Sequence, residues 1–303
     1  EVQLLIGGES LEWETVEYVR DAISAGKQKA LILIGHANSE EAGMVHCGEW
    51  LKNFITEVPV QHIAAGDPFW TPTPKKTYPT TGTIERLNPI IDNLIAPTAK
   101  IEILAGGFTW TEGPVWVEDG NYLLFSDIPP NSIFKWTEAE GKTLFLKPSG
   151  YTGKIKRKGE PGSNALLFNP QKELVLCQHG DRRIAKLLTS LDNPKPQFET
   201  IIGKYEGKRF NSPNDAVYDS QGNLYFTDPP YGLERQMDDP TKEIDFQGVY
   251  RLSVDGQLSL ISDQMSRPNG IALSVDEKTL YVANSDPKKA IWMAFELEQG
   301  KVV

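Results

Sequence analysis

Four segments of this chain follow one plan, and that repeat restricts the fold more than any other feature. Each has a polar residue after a turn, an apolar strand, a turn rich in Asp, Asn or Gly, and a second strand ending in Asp. They run from Glu112 to Asp127, Asn164 to Asp181, Asn214 to Asp228 and Asn269 to Asp286, with a third strand following at 133–136, 183–186, 249–252 and 291–294. The polar positions 112, 164, 214 and 269 lie 52, 50 and 55 apart, a period that suits four-stranded propeller blades better than a sandwich. The expected class is an all-β propeller over 83–303, about four blades, preceded by a small α/β fragment.

In a propeller the inner strand of each blade runs along the central channel, so one position repeated in successive blades points at one axial spot. Here that position holds Glu112, Asn164, Asn214 and Asn269, each with a side-chain oxygen. Hard cations bind through six to eight oxygens, so this set predicts calcium first and another divalent cation second. Zinc would ask for His or Cys. Asn also starts strands and caps turns by bonding nearby backbone, and for a single Asn that reading is sufficient. The set of Glu112, Asn214 and Asn269 favours the metal, because capping does not require the same strand position each time.

These motifs resemble the senescence-marker-protein, gluconolactonase and luciferin-regenerating-enzyme family. The resemblance rests on Glu112-Gly-Pro114, Pro161-Gly-Ser-Asn164, Gln178-His-Gly-Asp-Arg-Arg183, Arg209-Phe-Asn-Ser-Pro-Asn-Asp215, Thr227-Asp-Pro-Pro-Tyr-Gly232 and Arg267-Pro-Asn-Gly270. It implies a six-bladed propeller with a metal, usually calcium, in the channel. Glu112 and Asn269 would ligate it, and Asn214 would sit beside it, touching metal or substrate. Arg209, Asn164, His179 and Tyr231 are the further substrate-binding candidates.

The implied activity is hydrolysis of a sugar or related lactone, with the metal polarising the carbonyl and a carboxylate activating water. The family's general base is an Asp in a Pro-Asp-Gly turn, and the chain ends at Val303 before such a motif. The expectation is therefore of about two absent blades, weak metal binding and little activity, with Asp215 the fallback base. A strand neighbour of Asn214 points to the opposite face, which counts against it. The competing reading is a non-catalytic, metal-stabilised binding propeller.

Residues 1–66 read differently. Trp13, Val16, Val19 and Ile23 recur at helical steps, residues 30–35 read as a buried strand, a helix is expected over 40–55 with Met44, Trp50, Leu51 and Phe54 on its apolar side, and a short strand over 60–63. Gly35-His-Ala-Asn-Ser-Glu-Glu-Ala-Gly-Met44 and Glu49-Trp-Leu-Lys52 resemble the C-terminal end of the NIF-three-like dinuclear-metal family, which implies His36 and Glu40 as a second metal pair. A Pro- and Thr-rich stretch, 67–82, reads as a linker.

With 31 basic against 41 acidic residues and no basic face, nucleic acid is an unexpected partner. The longest apolar runs fall short of the roughly 20 residues that span a bilayer. Cys47 and Cys177 are expected as buried thiols rather than a disulfide. No secretory leader opens the sequence, so cytoplasm is the expected compartment, with the periplasm as the alternative.

Overall fold

The computed structural model describes residues 4–7, 15–33, 36–56, 58–62 and 76–303. The chain divides into two compact units, Glu1–Thr77 and Tyr78–Val303.

In the first unit, strand β1 (Leu4–Gly7) pairs in parallel with β2 (Ala30–Leu33), and helix α1 (Glu17–Ser24) lies between them in sequence. Helix α2 spans His36–Leu51, so it starts and ends about a turn earlier than the apolar pattern suggested. Residues 60–62 are irregular rather than a strand. Ile32 and Leu33 of the expected buried strand are exposed, as are Met44, Trp50 and Phe54, because a two-stranded sheet offers too little surface to cover them. Cys47 is only half-buried, whereas Cys177 is fully buried, and both thiols are free. Trp13 and residues 67–75 of the expected linker fall outside the described residues. The last part of that linker belongs to the second unit: Thr80 bridges Glu102, and the Tyr78 ring lies 6.2 Å from Trp136.

The second unit holds four antiparallel four-stranded sheets, each formed by strands in sequence order. The first has β3 (Thr111–Val117), β4 (Tyr122–Asp127), β5 (Ser132–Thr137) and β6 (Gly141–Leu146). The second has β7 (Ser163–Phe168), β8 (Leu174–Gln178), β9 (Arg183–Leu187) and β10 (Phe198–Ile202). A hairpin, β11 (Lys204–Tyr205) and β12 (Lys208–Arg209), leads to the third sheet of β13 (Ala216–Tyr218), β14 (Leu224–Thr227), β15 (Val249–Leu252) and β16 (Leu258–Ser262). The fourth has β17 (Pro268–Leu273), β18 (Thr279–Asn284), β19 (Ile291–Glu298) and β20 (Lys301–Val302).

The core lies between successive sheets, which is what a propeller-like arrangement demands of strands that are apolar on both faces. Leu124 and Ile133 pack with Leu166 and Leu176. Cys177 and Ile184 pack with Phe226 and Tyr250. Tyr225 and Val249 pack with Leu280 and Val282. Each of the named side chains is at least nine-tenths buried, so truncating any of the Leu, Ile or Phe residues to Ala removes about 2–5 kcal/mol of stability.

Two of the four repeated Asp, Asp127 and Asp228, close a second strand and serve the backbone, whereas β8 ends at Gln178 and β18 at Asn284, short of Asp181 and Asp286. Asp127 accepts hydrogen bonds from Thr109 N and Trp110 N, and Asp228 accepts from Asn211 N and Ser212 N, both at 2.7 Å. In the fourth sheet Asn284 takes the same part, accepting from Arg267 N at 2.8 Å. Each side chain thus ties the segment entering an inner strand to the end of its neighbour.

Candidate metal and substrate site

Inner strands β3, β7, β13 and β17 are successive neighbours. Their starts are stitched together by short polar contacts. Ser126 Oγ donates to the Asn164 carbonyl at 2.8 Å, Ala165 N to the Asn214 carbonyl at 3.0 Å, and Thr227 Oγ1 to the Asn269 carbonyl at 2.7 Å. Glu112 joins the row through Gly113, whose α-carbon is so close to the Asn164 backbone that an added Cβ would lie 2.3 Å from its carbonyl oxygen. The four repeated positions are therefore brought to one end of adjacent inner strands.

A one-residue register shift falls at this position in three sheets: between Glu112 and Val115, Ser163 and Leu166, and Pro268 and Ile271. A bulge bends a strand and re-aims its side chain, so these shifts matter to the site. In the third sheet β13 begins only at Ala216, and Asn214 precedes it, held by its own N–H on the Thr227 carbonyl at 2.9 Å.

Two amides have their nitrogens occupied. Asn214 Nδ2 lies 3.2 Å from His179 Nε2, and Asn269 Nδ2 donates to Ser285 Oγ at 3.3 Å. Among the described residues neither side-chain oxygen receives a hydrogen bond. Glu112 is half-buried and accepts from Trp110 Nε1 at 3.2 Å. A carboxylate, and amide oxygens that accept no hydrogen bond among the described residues, are groups of the kind a hard cation uses. Among the described residues, no three His, Cys, Asp or Glu side chains cluster for a metal, so an all-imidazole, thiolate and carboxylate site is not formed there.

The other candidates are placed as follows. Both Asp215 oxygens are engaged by backbone, accepting from Ala216 N at 2.9 Å and Ile271 N at 3.0 Å, and burial raises its pKa. Its carboxylate joins the start of β13 to β17. His179 is fully buried behind Asn214, and burial, followed by the nearby Arg157 charge, lowers its pKa to about 3. Tyr231 Oη lies 2.7 Å from Ser285 Oγ, the same hydroxyl that receives Asn269. Exposed Arg209 borders a separate cleft with Arg157, Arg182, Arg235, Glu234 and Asp239. His36 opens α2 and Glu40 lies one turn along it.

The sequence reading missed Glu160. It lies between β6 and β7, outside the repeat, with Oε2 3.6 Å from His179 Nδ1. Burial and then the charge of Glu112 raise its pKa from 4.5 to about 7. A carboxyl raised in the fold contributes stability that is complete below its unfolded pKa and is lost as pH climbs through the folded one. Glu160→Gln should therefore leave the melting temperature of metal-free protein little changed at pH 4 and raise it at pH 8. Allowing for solvent screening, the gain is about 1–2 kcal/mol.

A family model described as SMP-30/Gluconolactonase/LRE-like region matches residues 110–303. A gluconolactonase of Zymomonas mobilis is 46% identical over 209 residues, covering 68% of this chain and 58% of its own length. The diisopropyl-fluorophosphatase of Loligo vulgaris is 27% identical over 60% of this chain and 58% of its own. Among solved structures, a gluconolactonase from Xanthomonas campestris superposes with a TM-score of 0.59 at 29% identity, over 75% of this chain and 69% of that one. The chain thus spans under two thirds of the length of both of these curated relatives.

Proposed function

The chain belongs to the SMP-30/gluconolactonase/LRE-like family, and on that premise we propose that it carries the metal-binding face of a calcium-dependent lactone hydrolase with a six-bladed propeller. The observation that carries this reading is the disposition of the amides: Asn214 and Asn269 have their nitrogens held by His179 and Ser285, which leaves their oxygens for a cation beside Glu112. The chemistry of the donor set fits calcium or another oxygen-seeking divalent cation. Glu112, Asn214 and Asn269 would hold it, with Asn164 alongside.

When bound, such a cation supplies Lewis-acid polarisation of an ester carbonyl. The residues of the chain provide the rest of the setting. Ser126 and Thr227 fix the Asn164 and Asn269 backbones, so the amides need little reorganisation when a ligand arrives. Tyr231, hydrogen-bonded to Ser285, borders the site through Asn269, whereas Arg209 lines the separate cleft and is not assigned to the substrate. Glu112 is committed to the cation and Asp215 to backbone amides, so neither is assigned as base. The substrate class follows the Zymomonas and Xanthomonas relatives, whose names make them gluconolactonases.

Hydrolysis of D-glucono-1,5-lactone, followed in a pH-stat with calcium present, tests this reading. Wild-type chain, with no base assigned, should exceed the spontaneous rate only slightly, and Glu112→Gln should abolish that excess. An unchanged rate in the folded variant would remove Glu112 from the mechanism and the proposal with it.

A further inference from the structure

We propose that Glu160 and His179 form a buried support that sets the amide of Asn214 with its oxygen toward the cation, making both of them positioning residues. This rests on the reading of Asn214 as a metal ligand. The donor pattern gives the direction. Asn214 Nδ2 can only donate, so His179 Nε2, 3.2 Å away, must be the unprotonated, accepting nitrogen. The imidazole hydrogen is then on Nδ1. That atom is buried and has no hydrogen-bond partner among the described residues, while Glu160 Oε2 stands 3.6 Å away. A small movement of the carboxyl group closes this gap, and an oxygen able to accept is present in either charge state.

The ring has little freedom to do otherwise. His179 N donates to the Gly162 carbonyl at 3.2 Å, in the turn that precedes Asn164. Gly232 packs against the other side, where an added Cβ would fall 2.6 Å from His179 Cβ. Arg157 donates to the carbonyls of Gly180 and Gly232, fastening the segments on either side of the ring. The support therefore runs from Glu160, between the first and second sheets, through His179 at the end of the second, to Asn214 at the entrance to the third. An amide without it could turn through 180° and offer its NH2 group to the cation. Second-layer partners of this kind change metal affinity by about 10- to 100-fold when removed.

Two readouts test this on the full chain. The first is the His179 tautomer in metal-free protein, read from long-range 15N–1H NMR correlations: Nδ1–H with unprotonated Nε2 is expected, and a proton on Nε2 overturns the proposal whatever calcium does. The second is calcium affinity by calorimetry. Glu160→Leu, which has no acceptor, should weaken binding about 10-fold, while Glu160→Gln, which keeps one, should stay within about twofold of wild type. Equal weakening in both variants would mean that Glu160 acts by charge alone and would overturn the positioning role. If wild-type chain binds no calcium, the metal reading fails, and the tautomer still decides whether the support exists. Should Glu160→Leu not fold, wild type and Glu160→Gln decide: loss of affinity in the latter contradicts the proposal, and retention with the Nδ1–H tautomer supports it.

Discussion

Replacing Gly113 by alanine is expected to destabilise the second unit by about 4 kcal/mol, the sum of a left-handed backbone penalty and a steric one. Gly113 has φ +57°, a region that costs an L-residue about 1–2 kcal/mol. The steric part arises because the new Cβ would meet backbone on the next inner strand: Asn164 O at 2.3 Å, Ala165 Cα at 2.7 Å and Leu166 N at 2.9 Å. Backbone cannot swing aside as the end of a side chain can, so β3 and β7 must separate. Gly141, with φ +72° and no atom within 4 Å of an added Cβ, isolates the conformational share. Denaturant unfolding should show Gly141→Ala losing only about 1–2 kcal/mol. Equal losses at the two positions would mean that the contact between β3 and β7 is looser than described. Because the displaced backbone carries Glu112 and Asn164, the Gly113 variant should also bind calcium less well.

Asp228→Ala should be comparably severe, at about 3–5 kcal/mol. Its carboxyl group is fully buried and receives two backbone amides, Asn211 N and Ser212 N. Alanine leaves both donors without a partner in a place water does not reach, and each such group costs about 1–3 kcal/mol. Burial pushes the Asp228 pKa up to about 7, against the opposing pull of the two amides and of the Arg182 charge, so the group is held in place by hydrogen bonds more than by ion pairing. Asp228→Asn keeps one accepting oxygen and should recover part of the loss in the same unfolding measurement. A variant as stable as wild type would show that these hydrogen bonds contribute nothing.

These two positions also mark what could be read from sequence. The recurrence of Glu112, Asn164, Asn214 and Asn269 was visible because strand periodicity and turn composition are local, and the third strands fell on β5, β9, β15 and β19 for the same reason. The role of the repeated Asp was not visible. Whether Asp228 faces a cation or a backbone amide depends on which N–H groups the chain returns to it from 17 residues away. Asp215 is the converse case: its partner Ile271 N is 56 residues distant and in another sheet. The bulges at Glu112, Ser163 and Pro268 escape a period-two reading, since the extra residue falls at the entry of each strand, ahead of the apolar run from Val115, Leu166 and Ile271. Glu160 escaped because it belongs to a connecting loop, where no repeat singles it out.

In the first unit the pattern located α1, β2 and α2 but misjudged their burial. Apolar residues at Met44 and Trp50 signal a face that can be covered, and the described partners, a two-stranded sheet and one short helix, do not cover it. Periodicity reports the preference of an element, and burial requires a second layer.

The central claim is that Glu112, Asn214 and Asn269 share one divalent cation. Calorimetric titration of calcium into the full chain tests it most directly, with Glu112→Gln and Asn269→Ala titrated alongside. The account predicts a single site with a Kd on the order of 10⁻⁴ M, as for calcium sites with few charged ligands, weakened at least about 10-fold in each variant. Binding that is unchanged by both substitutions, or no binding by the wild-type chain at millimolar calcium, would contradict it.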